Sequence, residues 1–308
     1  MTVRNAHAMA YDSARERVVL FGGADAERVR NDTWEWDGVA WTQVAATGPP
    51  PRTFPSMVYD ETRRVALLFG GNRVLFGAHP EDAVFLDDFW QWDGRQWTGI
   101  HAAGPSARAE AAFAFDSVRG RAVLFGGYRS DAGAKTRLGD TWEWDGRAWT
   151  EMSGPGPMAR SGAAMAFDRV RGKVVLFGGN LTNGGDETWE WDGARWTKID
   201  SAITEGRFNA VMTWDAARGR VVRYGGWNGK ERTADTWLYD GRTWEPVPVS
   251  GAPARNHAAM VYDAARGRAV MFGGHEGTLV FGDLWEWDGR AWIRRLATPP
   301  QERVENGH

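Results

Sequence analysis

Cysteine is absent from the 308 residues. The chain therefore forms no disulfide, offers no thiolate to a metal and contains no cysteine nucleophile. This absence says nothing about compartment. A basic excess is also missing. Lys and Arg number 37 against 40 Asp and Glu, a formal charge of −3 with a pI of about 6.1. Nucleic-acid and acidic-membrane partners want a basic surface, so neither is expected. No run approaches the roughly 18 apolar residues of a membrane span. The opening residues, Met1-Thr2-Val3-Arg4-Asn5, include no apolar signal segment, which favours a cytoplasmic location. Tyr is scarce at 6, whereas Trp reaches 19 and Gly 39. With 43% apolar and 25% charged residues, this is the composition of a globular, turn-rich β protein packed on Trp.

Internal repetition organises the whole chain. Phe-Gly-Gly or Tyr-Gly-Gly starts at Phe21, Phe69, Phe125, Phe177, Tyr224 and Phe272. Trp-Asp-Gly or Tyr-Asp-Gly follows each, at Trp36, Trp92, Trp144, Trp191, Tyr239 and Trp287. A further Trp lies 3 residues beyond each of those Gly. Every unit opens on an Arg: Arg4, Arg52, Arg108, Arg160, Arg207 and Arg255. An Asp follows 8 residues later, and the Gly pair begins 10 residues after that. Only the segment between the Gly pair and the Asp/Glu-x-Trp varies, from 8 residues in unit four to 17 in unit two.

Each unit reads as four short strands. The first alternates bulky and small residues, as in Ala8-Met9-Ala10-Tyr11. The second is a continuous apolar run such as Ala122-Val123-Leu124-Phe125, expected to be buried on both faces. The third is Thr-Trp-Glu-Trp, and an Asp-Gly turn leads into the fourth. A lone four-stranded sheet of this size cannot bury both faces, whereas radial stacking can. The Gly pair, the downstream aromatic and the final Trp resemble the kelch repeat. The resemblance covers essentially the whole chain and implies an all-β, six-bladed kelch-type β-propeller with four antiparallel strands per blade. The expected domain is residues 1–308, with blades at 4–46, 52–102, 108–153, 160–201, 207–249 and 255–296 and a tail at 297–308. The tail is expected to be poorly ordered or to lie beside Arg4. The copper oxidases that share this fold need a Cys cross-linked to a Tyr, so that chemistry is excluded here.

A residue present in every unit is explained by the unit, whereas one present once is a candidate for function. By that rule 17 of the 19 Trp are inter-blade core. The repeated Asp are turn formers. The repeated Arg read as structural, stacked on Trp or paired with an adjacent blade's carboxylate. No phosphate loop, His-Glu-x-x-His or Gly-x-Ser-x-Gly occurs. The resemblance implies that the variable loops and the entries to the first strands share one face around the channel. Candidates there are Asn5, Phe54, Asn72, Arg73, Glu110, Tyr128, Arg129, Asn180, Phe208, Asn209, Trp227, Asn228, His257, His275 and Glu276. Trp227 fits no core slot and is expected to be exposed near the channel mouth. His7, His257 and His275 fall on the first and last blades. They are read as hydrogen-bonding rim residues in preference to metal ligands, and no metal or cofactor is expected. The mixed, aromatic and amide-rich set suits a peptide, a glycan or a polar small molecule. A binding scaffold is the favoured class. The alternative is a small-molecule enzyme, of isomerase, lyase or cyclase type, with its pocket at the channel mouth.

Overall fold

A computed structural model of the protein describes residues 1–74, 83–131, 134–179, 185–201 and 205–302. The six units form six four-stranded antiparallel sheets. In blade one the strands are Ala8–Asp12, Arg17–Phe21, Thr33–Trp36 and Trp41–Ala45, in that spatial order. The other five blades repeat this up-and-down order. The first strands pack side by side in sequence around a central channel, and Ala259–Asp263 of blade six returns to Ala8–Asp12 of blade one. The protein is a six-bladed β-propeller. Among the described residues there is no α-helix, and so no helix long and apolar enough to cross a membrane.

The alternation of the first strands explains how blades stack. Ala8 and Ala10 present a small face, with Val19 and Phe21 beside them. Met57, Tyr59, Leu68 and Trp92 of blade two fill the space they leave. The same small-against-bulky contact recurs at the interface of blades four and five. The second strands are sealed on both sides, with Val18, Val19, Leu20 and Phe21 all at 0% exposure. Several polar atoms at these interfaces are matched across blades. Trp97 Nε1 donates to Thr33 Oγ1 at 2.8 Å, and Trp244 Nε1 to Thr188 Oγ1 at 2.9 Å. The Asp of each Asp-Gly turn accepts from two backbone N–H groups, as Asp37 does from Val39 and Ala40 at 2.8 Å.

The unit-opening Arg are deeply buried charges, between 0% and 3% exposed. Their partner is the carboxylate of their own unit, not that of the adjacent blade. Arg52 reaches Asp88 at 2.6 and 2.7 Å and the Gly70 carbonyl at 2.9 Å. The reason is the fixed spacing: the carboxylate precedes the third strand by one residue, beside the Gly pair that the guanidinium also binds. These Arg are therefore pins within each unit.

The C-terminal segment continues blade six. Blade six has a long hairpin, Leu279–Trp287 against Trp292–Glu302, whose register runs out to Leu279 opposite Glu302. The tail through residue 302 is thus a strand extension. Residues 303–308 lie outside the described residues.

Candidate functional site

The residue two places after each unit-opening Arg decides the geometry of one channel mouth. These are Ala6, Phe54, Glu110, Gly162, Asn209 and His257, and all six have φ between 53° and 64°. Only the Gly and, to a degree, the Asn adopt this left-handed conformation readily. A backbone ladder over-determines it. Phe54 N donates to Ala6 O at 2.8 Å, Glu110 N to Phe54 O at 3.2 Å, Gly162 N to Glu110 O at 3.1 Å and Asn209 N to Gly162 O at 2.9 Å. Ala6 N closes the ladder between the terminal blades by donating to His257 O at 2.9 Å. The strain, roughly 1 kcal/mol or more per residue, sits where one chain segment per blade converges on the axis.

The cavity inside this ring has a volume of about 130 Å³. Its lining consists of that residue and the next one from every unit: Ala6–His7, Phe54–Pro55, Glu110–Ala111, Gly162–Ala163, Asn209–Ala210 and His257–Ala258. Gly162 is required by its neighbours, since a Cβ there would stand 2.4 Å from the Phe208 ring. Asn209 Nδ2 donates to Glu110 Oε1 at 3.4 Å and meets His257 Nε2 at 2.5 Å. His257 Nδ1 meets His275 Nε2 at 2.9 Å. A polar chain therefore runs from blade six through blade five to blade three. The edges of Phe54 and Phe208 pack on His257, with ring centres at 4.9 and 6.4 Å.

The side chain of Glu110 is 6% exposed. Burial pushes its carboxyl up, against Lys135, Ser161, Asn209 and Arg137, which favour the charged form. Its Oε2 and the Ser161 hydroxyl are each buried without a well-formed hydrogen bond. His7 is pushed down to about 3 by burial, with the charge of Arg4 adding to the effect. Among the described residues no three His, Asp or Glu side chains are placed to hold one metal ion.

Four of the fifteen candidates, Phe54, Glu110, Asn209 and His257, line the cavity. His275 is fully buried behind His257. Phe208 and Trp227 face each other through a backbone bridge, and Trp227 is half-buried under the Arg232 guanidinium at 4.8 Å. Asn72 donates to the Tyr128 hydroxyl at 3.4 Å, and Phe85 packs edge-on against Tyr128 at 5.3 Å. The long segments of units two and three thus emerge on the same face and touch. Lys135, on the ribbon Ala134–Arg137, sits 3.7 Å over the Tyr128 ring and 6.0 Å from Phe208. Arg73 and Glu276 are exposed on the outer part of this face. Arg129 donates to Ser106 at 3.3 Å. Asn5 is buried in a bridge to Ala24, and Asn228 serves its own turn. Asn180 and residues 75–82 of the long segment of unit two lie outside the described residues. Ala6 and Gly162 were absent from the candidates, and His7 was read as a hydrogen-bonding rim residue, whereas neither of its ring nitrogens has a hydrogen-bond partner. Aligning the units on their Arg would have found Ala6 and Gly162, because both positions after Asn5 belong to the cavity.

The KLHDC2/KLHL20/DRC7 Kelch-repeats domain matches residues 1–179 and again 114–293. The dynein regulatory complex subunit 7 of Chlamydomonas reinhardtii is 38% identical over 78 residues, which is 24% of this chain and 6% of that protein. The flagellar outer-arm dynein alpha chain of the same alga is 27% identical over 165 residues, 47% of this chain and 3% of that one. Mei4-dependent protein 6 of Schizosaccharomyces pombe is 25% identical over 199 residues, 57% of this chain and 28% of that protein. The chain thus spans less than a third of each of these relatives. The solved structure of YjhT superposes with a TM-score of 0.72 over 96% of this chain and 98% of that one, at 15% identity, and so shares the fold. Six tandem units, their pinned blades and a family model spanning the chain give one result: the protein belongs to the kelch-repeat family.

Proposed function

We propose that this propeller is a binding scaffold that recognises a peptide, glycan or polar small molecule at the loop face around its channel. One observation carries the reading. The cavity at that mouth is lined by two successive positions of every unit, and the first of them differs in all six. The scaffold positions are held constant while this slot carries Ala, Phe, Glu, Gly, Asn and His. A repetitive fold that diversifies where strained backbone converges behaves as a presentation device. Kelch propellers as a family are consistent with such a role. Native mass spectrometry of the purified chain tests it. Phe54→Ala combined with Asn209→Ala should release any co-purifying ligand, and retention at full occupancy would place recognition elsewhere.

A second reading, a small-molecule isomerase, lyase or cyclase, draws on one further feature. Glu110 Oε1 lies 3.9 Å from His257 Nε2, and burial holds the carboxyl towards its protonated form. Such a pair suits proton transfer. Under this reading Glu110→Gln keeps ligand affinity and abolishes turnover.

A further inference from the structure

The channel has a second opening. The mouth described above lies where the first strands begin, and the second lies where they end. A cavity of about 420 Å³ occupies it, within the roughly 300–1,000 Å³ of small-molecule sites. Its wall repeats with the blades. The slot three before each strand-ending Asp, Met in five units and Phe113 in the third, belongs to it, as does the aromatic slot one before that Asp. Tyr11, Phe115 and Tyr262 are half-buried on this wall. Two of the tyrosine hydroxyls are engaged by a neighbouring blade's turn. Tyr11 accepts from Ala265 N at 3.2 Å and Tyr262 from Ala217 N at 3.0 Å. The wall side chains are therefore mainly apolar and, through the Met, adaptable.

The rim is not uniform. The residue directly after each strand-ending Asp is Ser13, Glu61, Ser117, Arg169, Ala216 or Ala264. Alanine or serine therefore suffices for the turn. Glu61 and Arg169 are the only charged residues lining this cavity. They stand on blades two and four, yet Arg169 Nη2 donates to Glu61 Oε1 past the intervening blade. The repeated Asp are balanced within their own turns, as Asp60 is by Arg63 and Asp168 by Arg171. The side chains of Glu61 and Arg169 are 31% and 48% exposed, and an ion pair this open adds little to stability. Both charged groups are within reach of solvent, and hence of a ligand.

We propose that this second opening binds a free α-amino acid with a large apolar side chain, its ammonium on Glu61 and its carboxylate on Arg169. The site is separate from the loop face and does not depend on that reading. The zwitterion inserts between two charges that neutralise each other and replaces one ion pair with two. Its carboxylate can accept two parallel N–H bonds from the guanidinium. Its side chain descends between the Met and aromatic slots, where burial of apolar area drives binding. An anion alone would leave Glu61 unpaired beside a like charge, and a cation alone would do the same to Arg169. An uncharged apolar molecule would gain nothing from opening the pair.

Titration calorimetry on the full chain tests the site, with L-leucine, L-methionine and L-phenylalanine as probes. At least one should bind at millimolar concentration. Its N-acetyl form keeps only the carboxylate, its amide only the ammonium, and glycine only the two charges. Each of these three should bind at least about tenfold more weakly. Glu61→Ala and Arg169→Ala introduce the residue that blades five and six carry in this slot. Each should weaken binding by about tenfold or more with an unchanged melting temperature, as should the size-conserving Glu61→Gln and Arg169→Gln. Failure of all three probes to bind would overturn the proposal. Equal binding of the N-acetyl form, the amide or glycine would overturn the ligand class. Full affinity in both alanine variants, or in both glutamine variants should an alanine variant melt lower, would remove Glu61 and Arg169 as the partners. Affinity should survive Phe54→Ala with Asn209→Ala, and its loss there would assign the binding to the loop face instead.

Discussion

His7 and Glu110 give the mouth opposite pH signatures. The folded pKa of His7, about 3, lies below its unfolded value of 6.5. The unfolded chain therefore binds the extra proton first, and His7 costs stability as pH falls from about 6.5 towards 3. Glu110 is raised above 4.5 by burial. Its contribution is fully present below that value and is lost as pH rises through the folded pKa. Glu110→Gln mimics the protonated form, so its melting temperature should gain on the wild type as pH is raised from 4 to 8. A difference that stays flat with pH would show the carboxyl to be ordinary. Tryptophans are separable in the same way. Trp144 is 3% exposed in the interface of blades two and three, and Trp144→Ala should cost roughly 3–5 kcal/mol. Trp227 is half-buried and belongs to none of the six core clusters. Trp227→Ala should cost under about 1 kcal/mol. Denaturant melts that give equal losses would erase the distinction.

The second strand is the most uniform element of the unit, and one residue breaks it. Leu20, Leu68, Leu124, Leu176 and Met271 share a slot that holds Arg223 in blade five. Arg223 is 1% exposed, and its Nε and Nη1 have no partner. It lies over Phe177 at 4.5 Å and near Trp237 and Trp244 at 5.4 and 5.5 Å. Burial lowers its pKa to about 9. Its nearest carboxylate, Asp235 at 3.5 Å, is already held by Arg207 at 2.8 Å. Arg223→Leu therefore removes a desolvated charge and leaves the usual Arg–Asp pin intact. It should stabilise the protein by about 1–4 kcal/mol. A lower denaturation midpoint for this variant would mean that the stacked guanidinium outweighs its desolvation.

Ring closure is a property of the whole molecule. All four strands of each blade come from one contiguous stretch, so the two chain ends do not share a blade. The junction of blades six and one instead repeats the contacts found elsewhere. Arg4 N donates to Phe281 O at 3.1 Å, as Arg52 N does to Arg30 O at 3.1 Å. Arg266 donates to the Asp37 carbonyl, as Arg63 does to that of Asp145. The extension of the last strand lies outside this set. Truncation after Leu296 removes the pairings of residues 297–302 with 279–283 and leaves every blade four-stranded. The melting temperature should fall by only a few degrees, since about 1 kcal/mol corresponds to 2–4 °C in a chain of this size. Unfolding of the truncated chain at ambient temperature would make the extension part of the closure.

The fold was legible in the sequence because each unit repeats its own solution six times. Period-two strands, Asp-Gly turns and Trp at fixed offsets are local patterns, and a local pattern repeated in register leaves radial stacking as the way to bury both faces of every sheet. The shared face of the variable loops was what the resemblance to kelch propellers implied. The partner of each buried Arg could not, since Asp32 lies 28 residues from Arg4, and only the folded unit brings it beside the Gly pair. The cavity was partly visible. Phe54, Glu110, Asn209 and His257 stand out as unit-specific residues after an Arg, but Ala6 and Gly162 carry no chemical signal. Their membership comes from a left-handed backbone ring that six distant segments impose on one another. His7 shows the same limit: its sequence slot marks it as unusual, while its burial without a hydrogen-bond partner arises only once blades six and one have closed around it.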